Sequence, residues 1–281
     1  MEPNEHVGGN EPRENTGHLV SDSELDRMRD YMIEYLMSED PRLSGTKIPE
    51  DEFGKRKLLR ALMNIRDPKP ISDDFLKVQD SYLKTVNFRK GIVSIEDLRP
   101  VRKGIYLWRG DITRLATDAI VNAANSALLG CFSPNHSCID NAIHTYAGIE
   151  LRLACNQIME KQGYPEPTGM AKITPAFNLP SKYVIHTVGP IVNGKLTKAD
   201  IAKLASSYRS CLKIAAENGL GSIAFCCIST GVFGFPQDRA AEIAVQTVEE
   251  FLDENPRGSL QDVVFNVFKE SDLKIYQNLL G

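Results

Sequence analysis

The sequence predicts an α/β protein: a largely parallel sheet covered on both faces, preceded by a helical module that ends within about ninety residues. Three observations carry this reading. From about residue 100, short apolar runs alternate with longer helical segments, the spacing that βαβ crossovers require. Most of those runs are apolar at successive positions and not only at alternate ones, as strands buried on both faces are. Between residues 21 and 95 the apolar period is helical.

Residues 1–20 lack any apolar period and read as a loose tail. The helical module is assigned to residues 21–95. Its first helix opens on a capping box, Ser21 to Glu24, repeats Leu25, Met28, Met32 and Leu36, and stops before Pro41. A second carries Leu58, Leu59, Leu62 and Met63 and ends at the DPKP turn; Ser72 caps a third with Phe75, Val78, Tyr82 and Leu83. Nothing in this module suggests chemistry. The α/β domain is assigned to residues 96–281. Its strands are IYLW, AIVN, AKIT, YVIHT, SIAFCCIS and DVVFNVF. Its helices are IDNAIHTYAG, GIELRLACNQIMEKQ, KADIAKLASSYRSCLKIAAENG, DRAAEIAVQTVEEFLDEN and ESDLKIYQNLL. In such sheets ligands bind at the carboxyl ends of strands, so the loops that follow strands are where function is sought.

Composition narrows the function classes. A net charge of −4 leaves no basic excess to neutralise phosphates, which argues against a general nucleic-acid binder. The start, MEPNEHVGGNEPREN, has neither a basic region nor an apolar core, so no secretory signal is expected. The longest apolar runs fall far short of the ~20 residues that cross a bilayer. A cytoplasmic protein with no membrane partner is the expectation. Six cysteines fit a reducing compartment as free thiols. Cys155, Cys211, Cys226 and Cys227 lie in strand or helix patterns and read as small core residues.

Three loops after strands can carry chemistry. In WRGDITRL, Gly110 permits a tight turn, and Asp111 either caps the next turn or accepts hydrogen bonds from an exocyclic amino group. In IVNAANSALLGC, Asn122 and Asn125 either satisfy turn backbone or address sugar hydroxyls. In CISTGVFGFPQDRAAEIA, Ser229, Thr230, Gly231 and Gly234 form a strand-to-helix loop whose backbone N–H groups can wrap a diphosphate. It is neither a Walker loop nor a dinucleotide fingerprint.

A fourth stretch, GCFSPNHSCIDNAIH, holds Cys131, His136 and Cys138 in the spacing C-x4-H-x-C. Thiolate and imidazole are the donors zinc prefers, and three protein ligands with one position left over is the catalytic pattern. The alternative is a proline-containing turn that buries two cysteines and exposes one histidine. Asp140 and His144 follow at i,i+4, on one face of the next helix, where the carboxylate can orient water or a sugar hydroxyl with the imidazole in support.

GDIT, VNAAN, D-x-AIH-x-x-AG and STGVFGFP, in that order, resemble the macrodomain family, whose members bind ADP-ribose. The likeness covers about residues 100–281. Within the family the chain is most similar to the MacroD-related hydrolase branch, except that CFSPNHSC stands where that branch carries a glycine-rich run. That departure, with the helical extension, resembles the zinc-containing microbial macrodomains linked to ADP-ribosylating sirtuins. The resemblance implies a three-layer α/β/α fold with a mixed central sheet. It implies that Asp111 contacts the adenine amino group with Ile112 beside it, and that Asn122 and Asn125 address the distal ribose. Ser229, Thr230, Gly231, Val232 and Phe233 would cradle the diphosphate, Phe268 would border the adenine, and Cys131, His136 and Cys138 would hold one zinc ion per chain. The function expected is zinc-assisted hydrolysis of mono-ADP-ribose from modified proteins, at Asp or Glu esters, with Asp140, His144 and Asn125 as the catalytic set. A lipoyl-carrier protein is the implied modified partner. A non-catalytic ADP-ribose reader with structural zinc and an O-acyl-ADP-ribose esterase are the alternatives.

Overall fold

The computed structural model describes residues 20–281; the tail expected over residues 1–20 lies, Val20 apart, outside the described residues. Three helices come first: α1 (Asp22–Ser38), α2 (Glu52–Ile65) and α3 (Asp73–Arg89). The Ser21–Glu24 capping box is formed, and Asp51 and Ser72 cap the other two by accepting from Gly54 N and Phe75 N. Each N-cap oxygen satisfies an amide that the helix itself leaves unpaired. The apolar stripes of the three helices meet in a core of their own built on Met32, Ile33, Leu36, Leu59, Leu62, Phe75 and Leu83. Ile149 of the following domain is buried in that core, so the module packs directly on the α/β domain.

The strands follow in the order β1 (Val93–Ser94), β2 (Pro100–Arg102), β3 (Ile105–Arg109), β4 (Leu115–Ala116), β5 (Ala119–Ala123), β6 (Ala171–Pro175), β7 (Tyr183–Thr187), β8 (Ser222–Phe225) and β9 (Asp262–Val267). The helices are α4 (Ile139–Ala147), α5 (Ile149–Gln162), α6 (Lys198–Glu217), α7 (Gln237–Glu254) and α8 (Glu270–Leu280). Seven strands form one sheet in the order β2-β3-β9-β8-β5-β7-β6. The five inner strands run parallel, while β2 and β6 pair antiparallel at the edges, so the sheet is mixed. β1 and β4 form a separate two-stranded pair. The run SIAFCCIS yields a shorter strand than its apolar pattern suggests: β8 ends at Phe225, and Cys226 and Cys227 enter the loop beyond it.

Crossover handedness fixes the layers and the cleft. The chain leaves β5 through α4 and α5 to the antiparallel edge strand β6, turns back along β7, and then returns past β5 to β8 through α6. The β7–α6–β8 and β8–α7–β9 crossovers join parallel strands in the same direction across the sheet, so right-handed connections put α6 and α7, which pack on each other, on one face. β5 and β8 are hydrogen-bonded neighbours whose outgoing connections diverge. The crevice beyond their carboxyl ends is therefore a topological switch point, where open α/β sheets bind ligands.

Candidate functional site

The loops after β5 and β8 flank this crevice, and the ends of β3 and β9 extend it. Arg109 of β3 pairs in register with Val267 of β9, which sets the Asp111 turn beside Phe268, a side chain 77% exposed. Asn266 donates to the carbonyl of Gly110 at 3.0 Å and pins that turn, while Trp108 packs where a Gly110 side chain would stand. Asp111 does cap the following turn: its Oδ1 accepts from Thr113 N and Oγ1 at 3.0 and 2.6 Å. Its Oδ2 pairs at 2.8 Å with Lys90, the residue that ends α3. Burial pushes the Asp111 carboxyl up, but Lys90 and Thr113 outweigh it and hold the group below the usual carboxylate range. Ile112 is buried beside it. The Lys90 ammonium also lies over the Tyr146 ring, 3.4 Å from its centroid.

The diphosphate-type loop runs from Ile228 to Phe235. Ser229 takes a left-handed backbone conformation, φ 66°, and turns the chain sharply at the end of the buried strand. Gly189 makes this possible, since a Cβ there would fall 2.0 Å from Ser229 Oγ. Phe235 N donates back to Ser229 O and Gly234 N to Gly231 O, and Val192 N donates to Phe233 O from the neighbouring loop. Gly231 and Val232 are exposed at the tip, Val232 by 81%. Thr230 turns its hydroxyl inward to Cys227 O.

On the β5 side the two asparagines divide. Asn125 is half-buried and braces its own loop, donating to Gly130 O at 3.1 Å and accepting from Ala127 N at 3.0 Å. Asn122, expected at the distal ribose, is fully buried. Its amide nitrogen donates to Asp140 Oδ1 at 2.8 Å and lies 3.2 Å from His186 Nδ1, which sets it behind Asp140 as that carboxylate's donor. His186 Nε2 lies 3.0 Å from Thr174 Oγ1, and burial pushes the imidazole down to about 3, so it is neutral and its two nitrogens split acceptor and donor roles. Asp140 is 5% exposed, and burial pushes its carboxyl up to about 6 against the opposing pull of Asn122. His144 Nε2 is 3.5 Å from Asp140 Oδ1, near but beyond a good hydrogen bond. Burial first, then His186 and Arg152, hold His144 well below its ordinary value, so it stands beside Asp140 as a neutral ring, with neither ring nitrogen hydrogen-bonded among the described residues.

Cys131, His136 and Cys138 converge. Each offers a donor atom within 4.8 Å of the others, and all three are half-buried. A tetrahedral zinc bonded at about 2.3 Å to sulfur and about 2.0 Å to nitrogen spaces its donors roughly 3.5–3.8 Å apart. Cys131 Sγ and His136 Nδ1 lie 3.6 Å apart, so the donor set fits that ion. His144, Cys155 and His186 form a second close group, but both nitrogens of His186 are already engaged by Asn122 and Thr174, which makes that group a packed interior. All six cysteines are free thiols, and Cys155, Cys211 and Cys226 are buried in the core.

Sequence patterns did not point to the residues that surround these side chains: Arg60, Asn64, Lys90, Asn141, Arg152 and His186. Arg60 and Asn64 reach the metal-type loop from α2, and Arg152 stacks on Phe132 within it, 4.2 Å from the ring centroid. No local motif announces Arg60 and Asn64, because their partners in the loop stand 76 and 71 positions away.

Residues 121–244 match the Macro domain family. A protein-ADP-ribose hydrolase of Treponema medium is 56% identical over 257 residues, covering 90% of this chain and 98% of that one. A Fusarium oxysporum f. sp. cubense protein, described as a probable bifunctional ADP-ribose hydrolase/ADP-ribosyltransferase, is 40% identical over a stretch covering 93% of this chain and 48% of that one. The crystal structure of a Trypanosoma brucei macrodomain in complex with ADP-ribose superposes with a TM-score of 0.62 at 33% identity, covering 79% of this chain and 95% of that one.

Proposed function

The chain belongs to the Macro domain family, and from that membership we propose that it is a protein-ADP-ribose hydrolase that releases mono-ADP-ribose from Asp or Glu esters with the help of one zinc ion. The observation that carries the zinc-assisted part is the convergence of Cys131, His136 and Cys138 on one side of the crevice, with Asp140 two residues beyond the last of them. With three protein donors, zinc bound there acts as a Lewis acid on an oxygen ligand, a sugar hydroxyl or a water.

The remaining work falls to the chain itself. Asp111 receives the adenine amino group, with Ile112 and Phe268 at its side. The amides of Ser229 to Phe233 bind the diphosphate, which fixes the substrate so that little orientational freedom is left to lose at the reacting end. Asn125 holds the loop that faces the distal ribose. Asp140, oriented by Asn122, positions the attacking water or accepts its proton, and His144 packs beside the carboxylate as a neutral neighbour. The resemblance to zinc macrodomains and the Fusarium relative's bifunctional description support a counterpart enzyme that attaches ADP-ribose, which we take to be a sirtuin. A lipoyl-carrier protein is the carrier we propose. Free thiols throughout support a cytoplasmic setting, and no helix among the described residues is long and apolar enough to cross a membrane.

The test is a time course of ADP-ribose release from a protein modified on acidic side chains, run beside O-acetyl-ADP-ribose and beside plain ADP-ribose binding. Release from the modified protein, faster than from the free acyl sugar, supports the proposal. Tight binding with no release makes the chain a reader, and preference for the acyl sugar makes it an esterase.

A further inference from the structure

We infer that Arg60 and Asn64, on the second helix of the N-terminal module, are positioning residues of the metal loop, so that the module is a working part of the site and not a cover for the fold. This rests on the zinc reading above. The loop from Leu129 to Cys138 has no regular structure and little backbone pairing of its own; His136 N to Ser133 O, at 3.2 Å, is its internal bond. Its polar backbone is satisfied instead by side chains from outside. Asn64 Oδ1 accepts from Asn135 N at 3.0 Å, and Arg60 Nη2 donates to His136 O at 3.1 Å. These two bonds bracket His136, one just before it and one on its own carbonyl. They also stabilise Asn135 in a left-handed conformation, φ 55°, from which the imidazole is turned toward Cys131.

The same guanidinium reaches the second half of the donor set. Arg60 Nε and Nη2 both bind Asn141 Oδ1, at 3.1 and 2.7 Å. Asn141, fully buried, passes that orientation on: its amide nitrogen donates to Ser133 O at 3.1 Å, and its backbone N–H points at Cys138 Sγ from 3.4 Å. Asn64 Nδ2 donates to Thr145 Oγ1, tying α2 to the catalytic helix α4. Buried networks in which each member has a partner hold one geometry, and partners behind metal ligands set affinity as well as orientation. Arg60 touches neither the donor atoms nor the residues assigned to ADP-ribose, so its effect belongs to the loop's shape.

The experiment compares the full-length protein with Arg60→Ala and, in case the truncation disturbs folding, Arg60→Gln. Zinc affinity is read by competition with a chromophoric chelator, and ADP-ribose binding by calorimetry on the same samples. The expected result is a fall in zinc affinity of about tenfold or more with ADP-ribose affinity kept within about twofold. A fall of less than about fivefold in both variants overturns the inference, as does a parallel loss of zinc and ADP-ribose binding, which would make Arg60 a residue of general stability. If the unaltered protein itself takes up no zinc, the zinc reading fails first, and the variants are not what decided it.

Discussion

The two loops that flank the crevice are built in opposite ways. The loop after β8 supports itself: Ser229, Gly231, Gly234 and Phe235 are linked by short-range backbone bonds, with one further bond from Val192 N to Phe233 O. The groups proposed to bind the diphosphate there are main-chain amides, and its tip is exposed. The loop after β5 is held from outside, by Arg60 and Asn64 of α2, Asn141 of α4 and Arg152 of α5, and its functional groups are side chains. Arg152 shows the arrangement most plainly. It donates to Leu129 O at the start of the loop and to the carbonyls of Met63 and Arg66 at the end of α2. Backbone recognition of an anion needs only a turn of the right shape, which a few residues can encode. Holding three side chains at metal-donor spacing needs a frame, and here the frame is borrowed from a second set of helices.

If the loops are separable in this way, substitutions should part metal binding from ADP-ribose binding. The largest effect is expected for His136→Ala or Cys138→Ser: zinc lost, and turnover reduced on the order of 10³-fold, with ADP-ribose binding retained in calorimetry. Asp140→Asn should lower kcat by about 10²-fold while leaving both zinc content and ADP-ribose affinity near their starting values, measured by elemental analysis and titration. Gly189→Ala makes the converse cut. The added methyl would meet Ser229 Oγ and Ile228 Cγ2, so ADP-ribose affinity should fall about tenfold while zinc affinity is unchanged. A joint loss of both in any of these variants would erase the distinction between the loops.

The smallest expected effect lies at Asp111, proposed to receive the adenine. Asp111 has its folded carboxyl lowered, so its contribution to stability is present above the unfolded carboxylate value and is lost as pH falls through the folded one. Asp111→Asn should therefore cost about 1 kcal/mol or less at pH 7, and the difference from the unaltered protein should shrink below about pH 4 in urea titrations.

Much of the fold was legible because burial on both faces leaves a dense apolar signature. IYLW, AIVN, AKIT, YVIHT and DVVFNVF each became a strand, and their helical partners became helices. β2 was not anticipated: Pro100 to Arg102 is exposed along its whole length, and a short edge strand carries no apolar pattern. In the site, the spacing of Cys131, His136 and Cys138 pointed to one another, and their donor atoms do converge. Lys90 could not be picked out this way. A lysine that ends a helix reads as a partner for the helix dipole, yet this one reaches Asp111. Arg60 and Asn64 sit within an ordinary amphipathic helix, and what distinguishes them is contact with residues 76 and 71 positions away. Only the packing of the module on α4 and α5 creates those contacts. Asn122 looked like a ligand residue because it ends a strand beside the crevice, but its side chain falls on the interior side and serves Asp140.

The most direct test of the account is ADP-ribose release from a protein modified on acidic side chains, followed before chelation, after chelation, and after zinc is returned, with metal content determined at each stage. About one zinc per chain is expected at the start, with loss of turnover on its removal, ADP-ribose binding intact, and recovery on its return. Undiminished turnover by the metal-stripped protein would contradict it.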